Sequence, residues 1–356
     1  MPPKVVLEEA GLREWLGRVA GKTPLMAPVR RGRVSHDFAW VTDPGQVSLD
    51  YVRTVMPPKQ ALWPTRQPLV KFGEEGGGRV DFAPQAQPVA EGEPFALFGV
   101  HPCDLTGIGL LDWAMGQRDP YPDPSWVARR AAATIVTLDC LPDEYCFCAL
   151  VGSSDTREGA DVALTPLAEG FLGEALTPKG DELLRLARGG REPTEAEAAE
   201  AARWPEEKAR RTRVKLGAEV GELADLLGAR YESEVFEATA RRCYSCGTCT
   251  NVCPTCFCFD VWDELELTLA GGMRSRRYDS CQSLNFALVA GPHNFRGERS
   301  DRVRHRWFRK FVYLLREHGR PFCVGCGRCS QACTAGISLV DVMNAVLSEA
   351  KEAATR

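Results

Sequence analysis

Residues 94–114, PFALFGVHPCDLTGIGLLDWA, are apolar without alternation, break at His101–Pro102, and resume with helical spacing. That pattern predicts a buried strand, a turn, and a helix beginning near Asp104. ATIVTLDC (133–140) predicts a second buried strand that ends at a cysteine. DVALTPL and GFLGEAL predict a hairpin or paired strands. From 181 to 242 the pattern turns helical. TEAEAAEAARW opens with Thr194 and has Glu197 three residues on, a capping box. VKLGAEVGELADLLG sets Leu216, Val220, Leu223 and Leu227 on one helical face, and YESEVFEATARR predicts a helix running directly into Cys243. RHRWFRKFVYLLREHG (304–319) carries a wide apolar face of Trp307, Phe308, Phe311, Val312, Leu314 and Leu315 and stops at Gly319 and Pro321. ISLVDVMNAVLSEAKEA predicts a last helix. The glycine run GEEGGGRV (73–80) predicts a hairpin tip; no G-K-[ST] follows, so it is not a phosphate-binding loop.

The expected fold class is therefore α+β. An N-terminal α/β-type domain covers 1–180, a helical bridge 181–240, and a mainly α-helical domain 241–356. With 356 residues the chain is long enough for more than one core. A net charge of −4 gives no reason to expect nucleic acid. The N-terminus MPPKVVLEEAGLREWLGRVA has acidic residues inside its apolar pattern, unlike a signal peptide. No apolar run approaches the roughly 20 residues that span a bilayer. The expectation is a cytoplasmic protein with reduced thiols.

Cysteine changes the picture. There are 15, and in a reducing compartment they read as metal or redox ligands rather than a disulfide framework. CYSCGTCTNVCP and CVGCGRCSQACT repeat C-x2-C-G-x-C-x3-C at 243–253 and 323–333, the spacing of bacterial dicluster ferredoxins. The fourth cysteine of such a motif usually serves the other cluster, so two crossed [4Fe–4S] sets are expected. One is Cys243, Cys246, Cys249 and Cys333; the other is Cys253, Cys323, Cys326 and Cys329. Structural zinc normally uses two C-x2-C pairs and suits this three-plus-one pattern poorly. Gly247 and Gly327 follow the second ligand, where the backbone must run close to the cluster or take positive φ. Residues 254–322 separate the motifs, more than a small ferredoxin uses, so a mainly helical dicluster domain is expected. Cys103, Cys140, Cys146 and Cys148 are sufficient in number for a third cluster, at strand ends that could converge; inert packing or zinc is the alternative. Cys256, Cys258 and Cys281 are left over. They read as packing or outer neighbours of a cluster, or as alternative ligands of the third one, with Phe257, Phe259 and Trp262 shielding it from water. The basic tract Arg296, Arg299, Arg302, Arg304, His305, Arg306, Arg309 and Lys310 reads mostly as a solvated face, or as a docking face for an electron partner.

The tracts CPTCFCFDVWD, RSRRYDSC, AGPHNFRGERSDRVRHRWFRKF and CVGCGRC, with FGVHPCDL and DC-x5-CFC earlier, resemble a family of iron–sulfur subunits. It is typified by the iron–sulfur electron-transfer subunit of anaerobic sulfite reductase and by the β subunit of sulfhydrogenase, a group 3 nickel–iron hydrogenase. The resemblance covers about 90–150 and 240–345. It implies an electron-transfer subunit with several [4Fe–4S] clusters. Its partners would be a flavin subunit that exchanges electrons with NAD(P)H and a subunit carrying the catalytic metal or sirohaem. Two positions depart from the family pattern: Thr334 stands where Pro usually follows the last cysteine, and His101 stands where Arg is expected. The competing reading is a redox enzyme acting on a small molecule near His101, Cys103 and Asp104. The residues favour the relay, because no acid–base set, Rossmann fingerprint or flavin motif stands out.

Overall fold

A computed structural model describes residues 4–75, 79–84, 92–268, 270–291 and 293–354. Among these, the strands in chain order are β1 (Lys4–Leu7), β2 (Leu25–Arg31), β3 (Ser35–Val41), β4 (Arg66–Glu75), β5 (Arg79–Pro84), β6 (Phe95–Val100), β7 (Ala133–Leu138), β8 (Val162–Pro166), β9 (Phe171–Ala175), β10 (Phe259–Leu265) and β11 (Gly271–Tyr278). Seven form one mixed sheet in the order β1-β9-β8-β7-β6-β2-β3. β2, β6, β7 and β8 are parallel neighbours, and antiparallel pairs flank them.

The continuous apolar runs of β6 and β7 have a simple cause: both faces of this sheet are covered. Ala96 and Phe98 of β6 pack with Leu12, Trp15 and Leu16 of the helix Glu9–Lys22. Phe95 and Leu97, on the other face, pack with Leu105, Ile108 and Leu111 of the helix Pro102–Asp112. Burying a large apolar side chain contributes about 1.5–3 kcal/mol, and a one-residue slip would exchange the faces, so this packing fixes the register. The helix begins at Pro102 rather than near Asp104, with His101 at the cap position, because proline at the first helical position loses no needed N–H. β8 and β9 form the expected antiparallel pair.

The second sheet runs β10-β11-β4-β5 and is wholly antiparallel. It draws β4 and β5 from one side of the predicted boundaries and β10 and β11 from the other. The spacer between the cysteine motifs thus contributes a β-hairpin as well as helix. The predicted glycine hairpin tip falls on 76–78, outside the described residues; β4 and β5 on either side are paired, with Glu75 opposite Arg79.

The helical expectations divide. The capping box forms, with Thr194 Oγ1 accepting from the Glu197 N–H and the Glu197 carboxylate accepting from the Thr194 N–H. The helix over 304–319 is present as Arg299–Phe308, a π turn at Arg309–Tyr313, and Leu314–His318, ending on Gly319 at φ +80°. VKLGAEVGELADLLG is not one helix. Only Leu223–Gly228 is α-helical, after a 3-10 turn at Val220–Glu222. Gly217 and Gly221 weaken the helix there. Leu216 and Val220 still pack on the C-terminal core, which holds Phe236, Trp307, Phe311, Leu339 and Met343.

Candidate metal centres

Adjacent parallel strands deliver their C-terminal loops to one sheet edge, which is where α/β folds place ligands. β6 leads to Cys103 and β7 to Cys140, followed by the loop with Cys146 and Cys148. The four thiols converge. Cys103 feels the charge of Cys148 and Cys140, and Cys140 that of Cys148 and Cys146. Burial pushes the Cys146 thiol up to about 11 and the Cys148 thiol up to about 12. Buried thiols so placed become thiolates readily only when iron or another cation binds them.

The two ferredoxin-like loops are built alike. In each, a glycine at positive φ (Gly247 at +76°, Gly327 at +75°) opens one helical turn, Thr248–Asn251 or Arg328–Gln331. One cavity is lined by Cys243, Cys246, Cys249 and Cys333, with Cys329 in its wall. Cys323 feels Cys329 and Cys253, and Cys326 likewise feels Cys253 and Cys329, so Cys253, Cys323, Cys326 and Cys329 also gather. Cys246 is exposed, and its Sγ lies 3.4 Å from Thr248 Oγ1, a contact that holds the thiol below its usual value. Tyr244 beside it is 70% exposed, so this cavity has a solvent-facing edge.

The second motif and the N-terminal loop interlock. Gly325 at φ +65° presses on the Phe147–Cys148 backbone, where an added Cβ would lie 2.5 Å from Phe147 C. Phe147 N–H donates to Gly325 O at 2.8 Å, and Ser153 Oγ donates to Val324 O at 2.6 Å. Gly327 is equally tight against Tyr145, where an added Cβ would lie 2.7 Å from the tyrosine Cβ. The glycine after the second ligand therefore makes room for a neighbouring loop. Arg328 completes the joint with a two-pronged ion pair to Asp104, at 2.5 and 2.7 Å, and a 2.9 Å bond to Thr54 O. Both partners are almost fully buried.

His101 and Asp104 are each 1% exposed. The Asp104 oxygens face Arg328, while His101 stacks on Tyr51 with its ring nitrogens at 2.8 Å from Leu138 O and 3.1 Å from Tyr51 O. Burial lowers the His101 pKa. These groups are committed to hydrogen bonds, an ion pair and ring stacking within the fold.

Cys256, Cys258 and Cys281 line a separate cavity of about 440 Å3. The thiols acting on Cys103 and Cys140 are those of the N-terminal group and Cys326, which separates the three from that group. Phe257 and Phe259 line the same cavity, whereas Trp262 packs against Arg66 and Arg277 on the small sheet.

The basic tract corrects the reading of a solvated face. Arg302, Arg306 and Lys310, spaced i, i+4, i+8, are buried. Lys310 sits in the π turn, a distortion common at functional sites, with Nζ 3.1 Å from Cys253 Sγ, 3.0 Å from Thr255 Oγ1 and 2.9 Å from Phe322 O. Burial pulls its pKa down, but Cys253, Cys256 and Cys323 outweigh that and hold it charged. Both terminal nitrogens of Arg306 are buried without a hydrogen-bond partner among the described residues. The sulfurs of Cys249, Cys329, Cys256 and Cys253 lie within electrostatic reach of it and favour its charge. Arg53 places one nitrogen 3.2 Å from Cys146 Sγ and leaves Nε and Nη1 without partners among the same residues. Sequence reasoning missed Arg53 and Arg328, Lys59, whose Nζ donates to Cys256 O, and Lys208, which pairs with Asp139 and whose charge reaches Cys140 and Cys148; only the i, i+4 stripe at 302–310, in phase with Val303 and Trp307, carried a signal. An orphaned guanidinium beside buried thiols fits an anionic iron–sulfur cluster, whose inorganic sulfides accept hydrogen bonds.

Fold and cysteine sets define an iron–sulfur protein with a 4Fe-4S dicluster domain, and the family model of that description matches residues 242–337. Over 93% of its length the chain is 38% identical to sulfhydrogenase 2 subunit beta of Pyrococcus furiosus, covering 92% of that protein. It belongs to that family. No solved structure matches it. No helix among the described residues is long and apolar enough to cross a membrane.

Proposed function

We propose that the chain is a cytoplasmic electron-transfer subunit of a hydrogenase, sulfhydrogenase or sulfite-reductase-type complex. It passes electrons between a flavin subunit that uses NAD(P)H and a subunit with the catalytic metal centre. Cys243, Cys246, Cys249 and Cys333 hold one [4Fe–4S] cluster, and Cys253, Cys323, Cys326 and Cys329 hold a second. Cys103, Cys140, Cys146 and Cys148 hold a third. The observation that carries the reading is the contiguity of the sets. Cys249 feels Cys329 of the central set, while Cys146 Sγ lies 3.9 Å from Cys326 O. The central set therefore abuts both of the others. Membership of a family that includes a sulfhydrogenase subunit supports partners of this kind.

The test uses the full chain, purified anaerobically and loaded with iron and sulfide. The expected result is about four irons per cluster, with none of the flavin or NAD(P)H turnover assigned to a partner. Cys333→Ser should damage the first-motif cluster and spare the second. Cys103→Ser with Cys140→Ser should remove about four irons. Tightly bound flavin and NAD(P)H oxidation by the chain alone would reject the relay reading. Unchanged iron in the Cys103/Cys140 variant would return the N-terminal cysteines to packing.

A further inference from the structure

We propose that the cavity lined by Cys256, Cys258 and Cys281 is an additional iron–sulfur site, holding a cluster by three thiolates with its remaining coordination position toward the cavity rim. The inference rests on the reading of the chain as an iron–sulfur protein and adds a site outside the three sets above.

Three observations carry it. The first is convergence. Cys256 and Cys258 come from the segment after the first motif, and Cys281 from the turn after β11; three thiols from two segments face one space of about 440 Å3. That space is far larger than a single ion with ligands at about 2.3 Å requires. A multi-iron cluster suits that space.

The second is charge. Arg296, Arg306, Arg309 and Lys310 line the cavity, and among the described residues no carboxylate does. Arg306 is 4% exposed, reaches both this cavity and that of the first motif, and has two unpartnered terminal nitrogens. An unpaired buried guanidinium is costly, so an anion belongs beside it. Iron bound by three thiolates and bridged by sulfides is such an anion.

The third is position. Lys310, in the wall of this cavity, lies 3.1 Å from Cys253 Sγ of the central set, and Lys59 Nζ donates to Cys256 O. A cluster here would therefore branch directly from the central one. Phe257 and Phe322 pack over one side, while Phe259, 44% exposed, stands at the rim. The open side leaves one iron reachable by a small ligand.

The test compares the parent full chain with Cys258→Ser/Cys281→Ser and, separately, Cys256→Ser, all purified and reconstituted anaerobically. Iron, acid-labile sulfide and the low-temperature EPR spectrum of the reduced protein are read. The double variant should lose about four irons and one EPR component while keeping the ferredoxin-type signals, which also shows that it folds. Cys256→Ser should weaken the same component. Cyanide should shift that component in the parent, and no shift would overturn the open position. Unchanged iron and spectra in both variants would overturn the site. So would a Cys258–Cys281 disulfide in iron-replete parent protein, which would make the pair a dithiol instead. A parent chain that binds no iron would bring down the proposed function as well, so the two failures are distinguishable.

Discussion

Lys310 is a buried cation placed against Cys253, a proposed cluster ligand. A positive charge about 4 Å from a charged centre contributes on the order of 4 kcal/mol at an effective dielectric of about 20. Reduction adds negative charge to a cluster, so Lys310 favours the reduced form. Lys310→Met should lower the potential of the cluster served by Cys253, by on the order of 100 mV, in a redox titration followed by EPR. An unchanged potential would reduce Lys310 to a packing role. The Arg328–Asp104 pair acts differently. Asp104→Asn leaves Arg328 buried and unpaired, which costs about 3–5 kcal/mol, whereas replacing both by apolar residues of similar volume costs less. The denaturant midpoint for loss of cluster absorbance should fall clearly in the single variant and recover in the double.

Individual elements explain how such residues are aimed. Lys310, in the π turn Arg309–Tyr313, continues the inward i, i+4 stripe of Arg302 and Arg306, while Arg309 before it lies over Phe257. Backbone contact sets the loop joint, since Gly325 has neither the room nor the φ for a side chain. Gly325→Ala should force the loop at 146–148 away from the second motif. Iron analysis of the loaded protein should then show losses from the N-terminal and second-motif sets, with the first-motif signal retained. Loss of the first-motif cluster alone would show that the joint does not organise these loops.

Across the whole molecule, the second-motif set stands at the centre. It meets the first-motif set at Cys329, the N-terminal set at Cys326, and the cavity of Cys256 at Cys253. Cys323→Ser, which removes a proposed ligand of this set, should isolate the branches. After rapid reduction at one end, the first-motif and N-terminal signals should no longer appear together in freeze-quench EPR. Joint appearance at the parental rate would mean that electrons bypass the centre.

The cysteine spacing alone specified the two ferredoxin-like motifs, because a cluster loop needs its ligands within one short stretch of chain. The buried strands leading to Cys103 and Cys140 were equally legible, as sheets covered on both faces demand unbroken apolar runs. The single sequence did not show the sheet that β4 and β5 share with β10 and β11, since strand pairing across some 200 residues leaves no local pattern. Nor did it show that Arg302, Arg306 and Lys310 face inward: a charged residue reads as solvated until its partners are known, and those partners are thiols from distant loops for Arg306 and Lys310 and the carbonyls of Arg296 and Gly297 for Arg302. Local chemistry thus declared itself in the sequence. The company each charge and thiol keeps was decided by tertiary structure, because burial and electrostatic pairing are properties of contacts between remote segments.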